Sequence, residues 1–279
     1  MVKFFYSIPD CLLSTIRDCG VKCKMKKKLI VYLDDKNLIR QSSEQVRQLV
    51  GGKAWNLIRL KNWGLNVPQA FVITTEAQGK ITGEVKRLIL ENLTNLDTKK
   101  LAVRSSATVE DTELASFAGL FESYLGVSKK ELVTAIEKCF SSITNERVRI
   151  YCGYKKISLA NIKMAVVIQE MIFAEKGGVI FTEDIFRQNK DILVIEAAKG
   201  LGEKVVSGLV NPERLMVSKE TKTVVERQAI DGPVLTEKEI KALVEIAAKI
   251  EALYQSAQDI EWAIMDNEIF ILQSRPITG

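Results

Sequence analysis

Three short polar segments carry residues that could bind phosphate. Gly51-Gly52-Lys53 would let backbone N–H groups and an ammonium approach an anion where a helix opens. Arg104-Ser105-Ser106-Ala107 offers a guanidinium, which can hold a phosphate through two hydrogen bonds, beside two hydroxyls. Gly200-Leu201-Gly202-Glu203 resembles a second glycine loop. A plain turn is the favoured interpretation of either glycine segment taken alone, and a polar loop fits Arg104 to Ala107 as well as a binding site does. Gly51-Gly52-Lys53 also lacks the spacing of a Walker P-loop.

The C-terminal residues 260–274 are predicted to form a β-hairpin around the turn Asp266-Asn267-Glu268. A three-residue loop pairs Met265 with Ile269. The strands then continue in register, so residues on one face of the hairpin can be assigned by counting back from the turn.

In this register Glu261 lies opposite Gln273, and Asp259 lies opposite Arg275 on the same face. A carboxylate and an amide carbonyl are oxygen ligands of the type that Mg²⁺ accepts. The alternative is an ordinary solvated outer face of an antiparallel sheet. The opposite face is predicted to pack in the core and carries Ile260, Trp262, Ile264, Phe270 and Leu272.

The composition limits the kinds of catalytic and binding site that this chain can contain. The chain has no histidine, which excludes imidazole metal ligands, Ser-His pairs and a phosphohistidine within this sequence. The net charge of +5 comes from Lys and Arg spread along the chain, so we expect no nucleic-acid interface. No run approaches the roughly 18 apolar residues of a membrane span. We therefore expect no membrane partner and a cytoplasmic protein.

The first residues are predicted to form a loose tail, residues 1–24, with Met25 as an alternative start. The tail contains Cys11, Cys19 and Cys23. A thiolate metal site would need a fourth ligand, which is not nearby, so an incidental cluster is the favoured interpretation. The odd total of five cysteines fits a reducing compartment rather than a disulfide scaffold.

The elements that must position these segments mix helices and strands without strict alternation, which favours an α+β fold in two lobes. Helices are predicted at 53–63, 85–93, 130–150 and 236–255, the last opened by a capping box of Thr236 and Glu239. Strands are predicted at 29–33, 67–74, 101–103, 164–169, 177–182, 192–197 and 215–218, and the fourth is apolar throughout, which indicates burial on both faces.

In their order along the chain, these segments resemble the ATP-binding domain shared by phosphoenolpyruvate synthase, pyruvate phosphate dikinase and rifampicin phosphotransferase. The resemblance covers about residues 49–279. The motifs that carry it are Val50-Gly51-Gly52-Lys53-Ala54, Val103-Arg104-Ser105-Ser106-Ala107, Ser116-Phe117-Ala118-Gly119, Gln169-Glu170-Met171, Gly200-Leu201-Gly202-Glu203 and Leu272-Gln273-Ser274-Arg275-Pro276-Ile277-Thr278.

The resemblance implies an ATP-grasp-like fold that holds ATP between a first lobe, residues 25–168, and a second lobe, residues 169–279. It also implies roles for individual residues. Lys53, Arg104 and Arg275 would act on the phosphates, and Glu261 and Gln273 would hold Mg²⁺. The remaining contacts to ATP would come from a loop containing Gly119 and Ser123 and from a hinge against adenine formed by Gln169, Glu170 and Met171.

Two departures from the family pattern bear on function. The span between Lys53 and Arg104 is shorter than is usual, so part of the first lobe is trimmed. The chain also stops where a linker to a swivelling phosphohistidine domain would begin. Relatives split ATP to AMP and phosphate while that histidine receives the β-phosphate, so we expect a separate polypeptide to supply the histidine, as the resemblance to phenylphosphate synthase suggests.

Three functions remain open at this point. The first is a Mg²⁺-dependent ATP-binding subunit that phosphorylates a histidine on another domain or chain. The second is a nucleotide-binding module without turnover, or a truncated relic. The third is an ATP-grasp ligase that makes an acyl-phosphate, which the motifs fit less well. The final phosphate acceptor and the oligomeric state are not encoded in any motif of this chain.

Overall fold

A computed structural model describes residues 28–79, 81–96, 98–110, 117, 119–206 and 208–277. The predicted tail, residues 1–24, lies outside these ranges, as do Ser116 and Ala118 of the motif Ser116-Phe117-Ala118-Gly119. Helices and two antiparallel sheets make up the described chain, which confirms the α+β class. Among the described helices, none combines the length and the apolar character needed to cross a membrane.

The first sheet has five strands in the order β1-β2-β5-β3-β4. Central β5 is buried on both faces from Met164 to Ile168, as its apolar run predicted. β4 was not predicted, since its run is interrupted by Gly126 at a φ of 68°. The strands are β1 (Ile30–Tyr32), β2 (Ala70–Ile73), β3 (Leu101–Ala107), β4 (Ser123–Val127) and β5 (Met164–Glu170).

Helices cover both faces of this sheet, with α1 on one and the next three on the other. The single helix predicted at 130–150 is wrong. The hydroxyls of Ser142 and Thr144 donate to the carbonyls of Cys139 and Ser141, which competes with helical hydrogen bonding, and a 3₁₀ turn separates two helices. The helices are α1 (Ser43–Asn62), α2 (Gly83–Leu93), α3 (Leu132–Ser141) and α4 (Glu146–Lys155).

The second sheet has six strands in the order β11-β10-β6-β7-β8-β9. Helix α6 packs on it and begins with the predicted capping box, in which Thr236 and Glu239 each bond to the other's backbone N–H. Charged β9 at the sheet edge was not predicted. The elements are β6 (Lys176–Phe181), β7 (Ile192–Lys199), α5 (Glu203–Val206), β8 (Glu213–Ser218), β9 (Val224–Gln228), α6 (Glu237–Tyr254), β10 (Gln258–Met265) and β11 (Glu268–Pro276).

Helix α1 joins the two sheets. Its buried side chains, Leu57 and Ile58 among them, share one apolar core with Val167 of β5 and Trp262 of β10. The Asn56 side chain donates to the carbonyl of Ser274 on β11 at 3.0 Å. The first sheet, α1 and the second sheet therefore form successive packed layers, and this stacking fixes the separation of the polar groups on the two sheets.

Candidate functional site

A cavity of about 670 Å³ lies between the two sheets. Its walls come from β3, β4 and β5 of the first sheet and from β6, β10 and β11 of the second. This volume is within the range of pockets that bind nucleotide-sized ligands. Every residue predicted for the site lines the cavity: Lys53, Arg104, Gly119, Ser123, Gln169, Glu170, Met171, Glu261, Gln273 and Arg275.

Lys53 reaches the cavity from α1 and is held by a buried acidic residue, Glu110. The Lys53 Nζ lies 2.7 Å from Oε1 of Glu110, whose side chain is 5% exposed. The second oxygen, Oε2, accepts a hydrogen bond from the backbone N–H of Ala107 at 3.0 Å. Glu110 lines the cavity but was not predicted as a site residue, because one acidic residue in a polar loop gives no periodic or spacing signal.

The glycines before Lys53, which the sequence indicated as a possible approach to phosphate, do not line the cavity. Helix α1 begins at Ser43 and is kinked at Gly51, where φ is 76°. A Cβ on Gly51 would lie 2.1 Å from the carbonyl oxygen of Ser106, and one on Gly52 would lie 2.7 Å from that of Glu110. Both glycines are buried against the β3 side, so they bring α1 close to the first sheet.

The hydroxyl of Ser106 bridges the two sides of the kink in α1. It donates to the carbonyl of Val50 at 2.8 Å, on one side of the kink, and accepts from the N–H of Ala54 at 3.0 Å, on the other. The strand predicted at 101–103 extends to Ala107, so the segment Arg104 to Ala107 belongs to β3. The hydroxyls of Ser105 and Ser106 are buried away from the cavity, so the proposed phosphate-binding role of this segment is left to Arg104.

Arg104 connects the two walls of the cavity. Its Nη1 lies 3.4 Å from Oε2 of Glu261 on β10, and the two side chains are 12% and 26% exposed. Its Nε is buried and has no hydrogen-bond partner among the described residues. Ser123, the first residue of β4, is the direct cross-strand neighbour of Arg104. The guanidinium therefore retains donor capacity for a group placed in the cavity.

The hairpin of β10 and β11 places Glu261 opposite Gln273 as predicted, although the predicted turn is wrong. Met265 pairs with Glu268 across a two-residue turn, Asp266-Asn267, whose positive φ values of 52° and 62° are typical of a type I′ turn. A β-bulge then adds one residue to β11 and restores the expected register.

The bulge also changes which residues of β11 face the core. Ile271 is buried there opposite Trp262, and Ile269 packs beside it. The prediction that Phe270 and Leu272 occupy the core face is therefore wrong, and Leu272 lines the cavity instead. The prediction for Trp262, which is fully buried in the core, is confirmed.

Arg275 is oriented by its partner on the neighbouring strand. Its Nε and Nη2 both donate to Oδ2 of Asp259, at 2.8 and 2.6 Å. The two residues are directly opposite each other in the register, as predicted. A guanidinium held through two of its nitrogens has a fixed direction, and Arg275 lines the cavity.

The C-terminal end of β5 forms another part of the cavity wall. The backbone N–H groups of Glu170 and Met171 donate to the carbonyls of Gln69 and Lys100, which fixes this segment against its neighbours. Gln169 is 1% exposed, and its Nε2 has no partner among the described residues. A buried amide donor without a partner, in a cavity wall, fits a site that receives a hydrogen-bond acceptor.

The second glycine segment also lines the cavity through Leu201, Gly202 and Glu203, which were not predicted as site residues. A Cβ on Gly202 would lie 2.8 Å from the backbone nitrogen of Gly178, and one on Gly177 would lie 2.6 Å from the nitrogen of Gly202. Glycines on both sides allow this loop to lie directly on β6 and close the wall.

Two oxygen-bearing side chains of the cavity are of the kind that bind a metal ion together with a ligand. Within the described part of the chain, no three His, Cys, Asp or Glu side chains are grouped as a metal site. Glu261 and Gln273 provide two oxygen-bearing side chains on one face, both lining the cavity. This donor set fits Mg²⁺, which is commonly bound by one or two carboxylates together with substrate phosphates rather than by a complete protein cage.

Comparison with known proteins defines the class of this domain. Residues 78–231 and 226–279 match the family described as "Pyruvate phosphate dikinase, AMP/ATP-binding domain". Similar proteins include the "Probable phosphoenolpyruvate synthase" of Methanocaldococcus jannaschii, 33% identical over 90% of this chain, and the "Rifampicin phosphotransferase" of Bacillus cereus, 33% identical over 82% of it. The chain is thus an ATP-binding domain of the phosphotransferase type. It belongs to the pyruvate phosphate dikinase AMP/ATP-binding domain family.

The chain spans 27% of the length of the first relative and 34% of the second. Among solved structures, it is similar to the D-alanine–D-alanine ligase of Helicobacter pylori, with a TM-score of 0.41 at 14% identity over 84% of this chain and 55% of that one. It is also similar to the ADP complex of purK, N5-carboxyaminoimidazole ribonucleotide synthetase, with a TM-score of 0.44 at 12% identity over 86% and 48%. The family assignment rests on the sequence matches.

Proposed function

We propose that this domain binds ATP with Mg²⁺ in the cavity between the two sheets and hands a phosphate from it to a histidine on another domain or chain. The observation that carries the proposal is the convergence on one cavity of every predicted site residue, although these residues come from segments spread over the chain. The acceptor is assigned to another domain or chain because this sequence contains no histidine.

The cations of the cavity would bind the phosphates. Lys53 approaches from α1, Arg104 from the first sheet and Arg275 from the second, so charge is supplied from several sides. Fixed cations in a partly enclosed site stabilise the charge that spreads over a transferring phosphoryl group and orient it for in-line attack. Asp259 orients Arg275 through two hydrogen bonds, which reduces the cost of arranging this cation when the ligand binds.

Glu261 and Gln273 would hold Mg²⁺, which when bound neutralises phosphate charge. Binding of the metal and phosphates would replace the present contact between Glu261 and Arg104, because each of these side chains gains a partner of opposite charge. The segment Gln169 to Met171, with the unpartnered amide of Gln169, would receive the adenine ring. Gly119 and Ser123 would lie over the phosphates beside Arg104.

Calorimetry with and without Mg²⁺ tests the binding step. MgATP should bind and stabilise the fold, by about 2.7 kcal/mol when its concentration is 100 times the dissociation constant. ATP with EDTA should bind much more weakly. Absence of heat and of any shift in melting temperature at millimolar MgATP would overturn the assignment of the cavity.

ATP labelled at the β-phosphate tests transfer. Incubation with a phosphohistidine domain supplied as a separate polypeptide should label that domain in an acid-labile form and release AMP, with the γ-phosphate released as unlabelled inorganic phosphate. A variant of the acceptor domain without its histidine is the control. Tight MgATP binding without transfer to any candidate acceptor would favour a nucleotide-binding module that has no turnover.

A further inference from the structure

We infer that Glu110 is the positioning residue for Lys53 and that it fixes the ammonium at the point where it meets the phosphates of the ligand. This inference rests on the proposed function. It starts from a geometric fact, which is that Glu110 is nearly buried yet lines the cavity and forms an ion pair at 2.7 Å with the lysine of α1. The two residues are 57 positions apart in the sequence.

The carboxylate of Glu110 is itself fixed. One oxygen accepts from Lys53 and the other from the N–H of Ala107 at the end of β3, so rotation of the carboxylate would break a hydrogen bond. The backbone is held as well, since its N–H donates to the carbonyl of Ala107 and its carbonyl accepts from the Arg47 guanidinium. A group secured at every polar atom can impose a position on a flexible partner.

Lys53 needs such a partner. A lysine ammonium ends a stem of four methylene groups and has three N–H donors but no preferred direction. Donation of one N–H to Glu110 leaves two for the ligand and limits the positions that Nζ can occupy. Gly52 contributes to this arrangement, because a side chain there would collide with the Glu110 carbonyl and push α1 away from the carboxylate.

The alternative is an ion pair that only stabilises the fold, and the two possibilities differ in ligand selectivity. A positioned ammonium acts on phosphates, so its loss should weaken MgATP but leave adenosine unaffected. Loss of a purely structural contact should weaken both ligands alike or neither. The ratio of the two dissociation constants therefore separates the roles.

The test uses Glu110→Gln, with Glu251→Gln as a matched control that breaks another partly buried ion pair, Lys219–Glu251 at 2.7 Å, outside this cavity. We expect Glu110→Gln to weaken MgATP about 10-fold, by analogy with the roughly 10- to 100-fold losses seen when a residue that orients a metal ligand is removed. Adenosine binding should be unchanged. Glu251→Gln should leave both dissociation constants unchanged.

A second measurement requires no nucleotide. The rate at which an amine-reactive reagent acylates Lys53, followed by peptide mass spectrometry, reports how firmly the ammonium is held. It should rise in Glu110→Gln and stay at the wild-type rate in Glu251→Gln. If Glu110→Gln does not fold, Glu110→Asp, which keeps the charge but withdraws it by one methylene, should show a smaller change in the same direction.

The inference is overturned if Lys53 acylation does not respond to either Glu110 variant. It is also overturned if the dissociation constants of MgATP and adenosine rise in parallel or both stay unchanged in Glu110→Gln. A different result addresses the proposed function alone. If wild-type protein shows no preference for MgATP over adenosine while Lys53 acylation still depends on Glu110, the nucleotide assignment fails and the positioning of Lys53 by Glu110 stands.

Discussion

The guanidinium of Arg104 lies 3.4 Å from the carboxylate of Glu261, so that β3 of the first sheet and β10 of the second are linked across the cavity. Both side chains are mostly buried, where the interaction of charges is stronger than at the surface. Each belongs to the set of residues proposed to bind MgATP, one toward phosphate and one toward metal. The two groups compensate each other's charge before a ligand arrives.

Substitution of the hairpin residues tests the metal assignment. Glu261→Ala removes a charged ligand and should weaken MgATP about 10- to 100-fold, whereas Gln273→Ala removes a neutral one and should cost about 3- to 10-fold, since hydrogen bonds to charged groups contribute more. Titration calorimetry at fixed Mg²⁺ measures both.

The control for these variants is Glu268→Ala, at the exposed end of the same hairpin, which should bind MgATP as wild type does. Wild-type affinity in Glu261→Ala, or a larger loss in Gln273→Ala than in Glu261→Ala, would contradict the assignment.

Trp262 faces the opposite side of β10 and should matter for stability. It is 0% exposed in the core shared with α1 and α6, so Trp262→Ala should lower the free energy of unfolding by about 3–5 kcal/mol. Leu90→Ala, on a side chain that is 64% exposed, should change it by less than about 0.5 kcal/mol. Urea unfolding followed by circular dichroism measures both, and equal losses would show that the core face is misplaced.

Gly51 and Gly64 form a natural pair for testing the close approach of α1. Both have positive φ, 76° and 77°, but a Cβ on Gly64 meets nothing within 4 Å. Gly64→Ala should therefore cost only the backbone strain of about 1–2 kcal/mol. Gly51 lies at ψ 173°, a region essentially restricted to glycine, and Gly51→Ala also adds a collision with Ser106, so the total should reach about 2–5 kcal/mol. Chemical denaturation of both variants decides the matter, and losses of equal size would rule out the collision as a cause.

Glu239 makes stability depend on pH in a defined direction. Burial raises the pKa of this carboxyl, but hydrogen bonds from Lys176 and Thr236 outweigh burial, and the pKa lies below its usual value of 4.5. A depressed pKa in the folded state means that the stabilisation is complete above pH 4.5 and is lost as the pH falls through the folded-state pKa.

We therefore expect wild type to be more stable than Glu239→Gln at pH 7, with the difference shrinking below pH 4.5. Urea midpoints of the two proteins across this range provide the measurement. A difference that stays constant down to the acid unfolding of wild type would show that the charge of Glu239 is not responsible.

Prediction from the sequence is most accurate where all the interacting residues of a motif lie close together in the chain. Thr236 and Glu239 form their capping box as expected, because both partners lie within one turn of helix. The pairing of Glu261 with Gln273 was also correct, but two features offset each other. The real turn is one residue shorter than predicted, and a bulge at β11 adds one residue. Neither can be inferred from alternation alone.

Long-range contacts explain why the sequence did not predict the structural roles of Ser106 and Glu110. Ser106 belongs to a strand because it pairs with Ala165 of β5, and its hydroxyl bonds to both sides of the kink in α1, which is some 50 residues away in the chain. Glu110 was missed as a site residue for the same reason, since its importance comes from Lys53. Local propensity carries no information about partners that only the tertiary fold supplies.

The placement of α1 has a consequence for any attempt to divide this protein. The helix precedes nearly all of the first sheet in the chain, yet Asn56 on it bonds to Ser274 on β11, the last described strand. Its apolar residues also complete the core of the second sheet. A fragment that ends between β5 and β6 would carry α1 with part of its apolar surface exposed to water. The complementary fragment, from β6 to β11, would lack the α1 side chains that complete its apolar core. Separate expression of the halves should therefore give aggregation-prone pieces that recover order only on recombination, so that the protein behaves as one cooperative folding unit despite its two sheets.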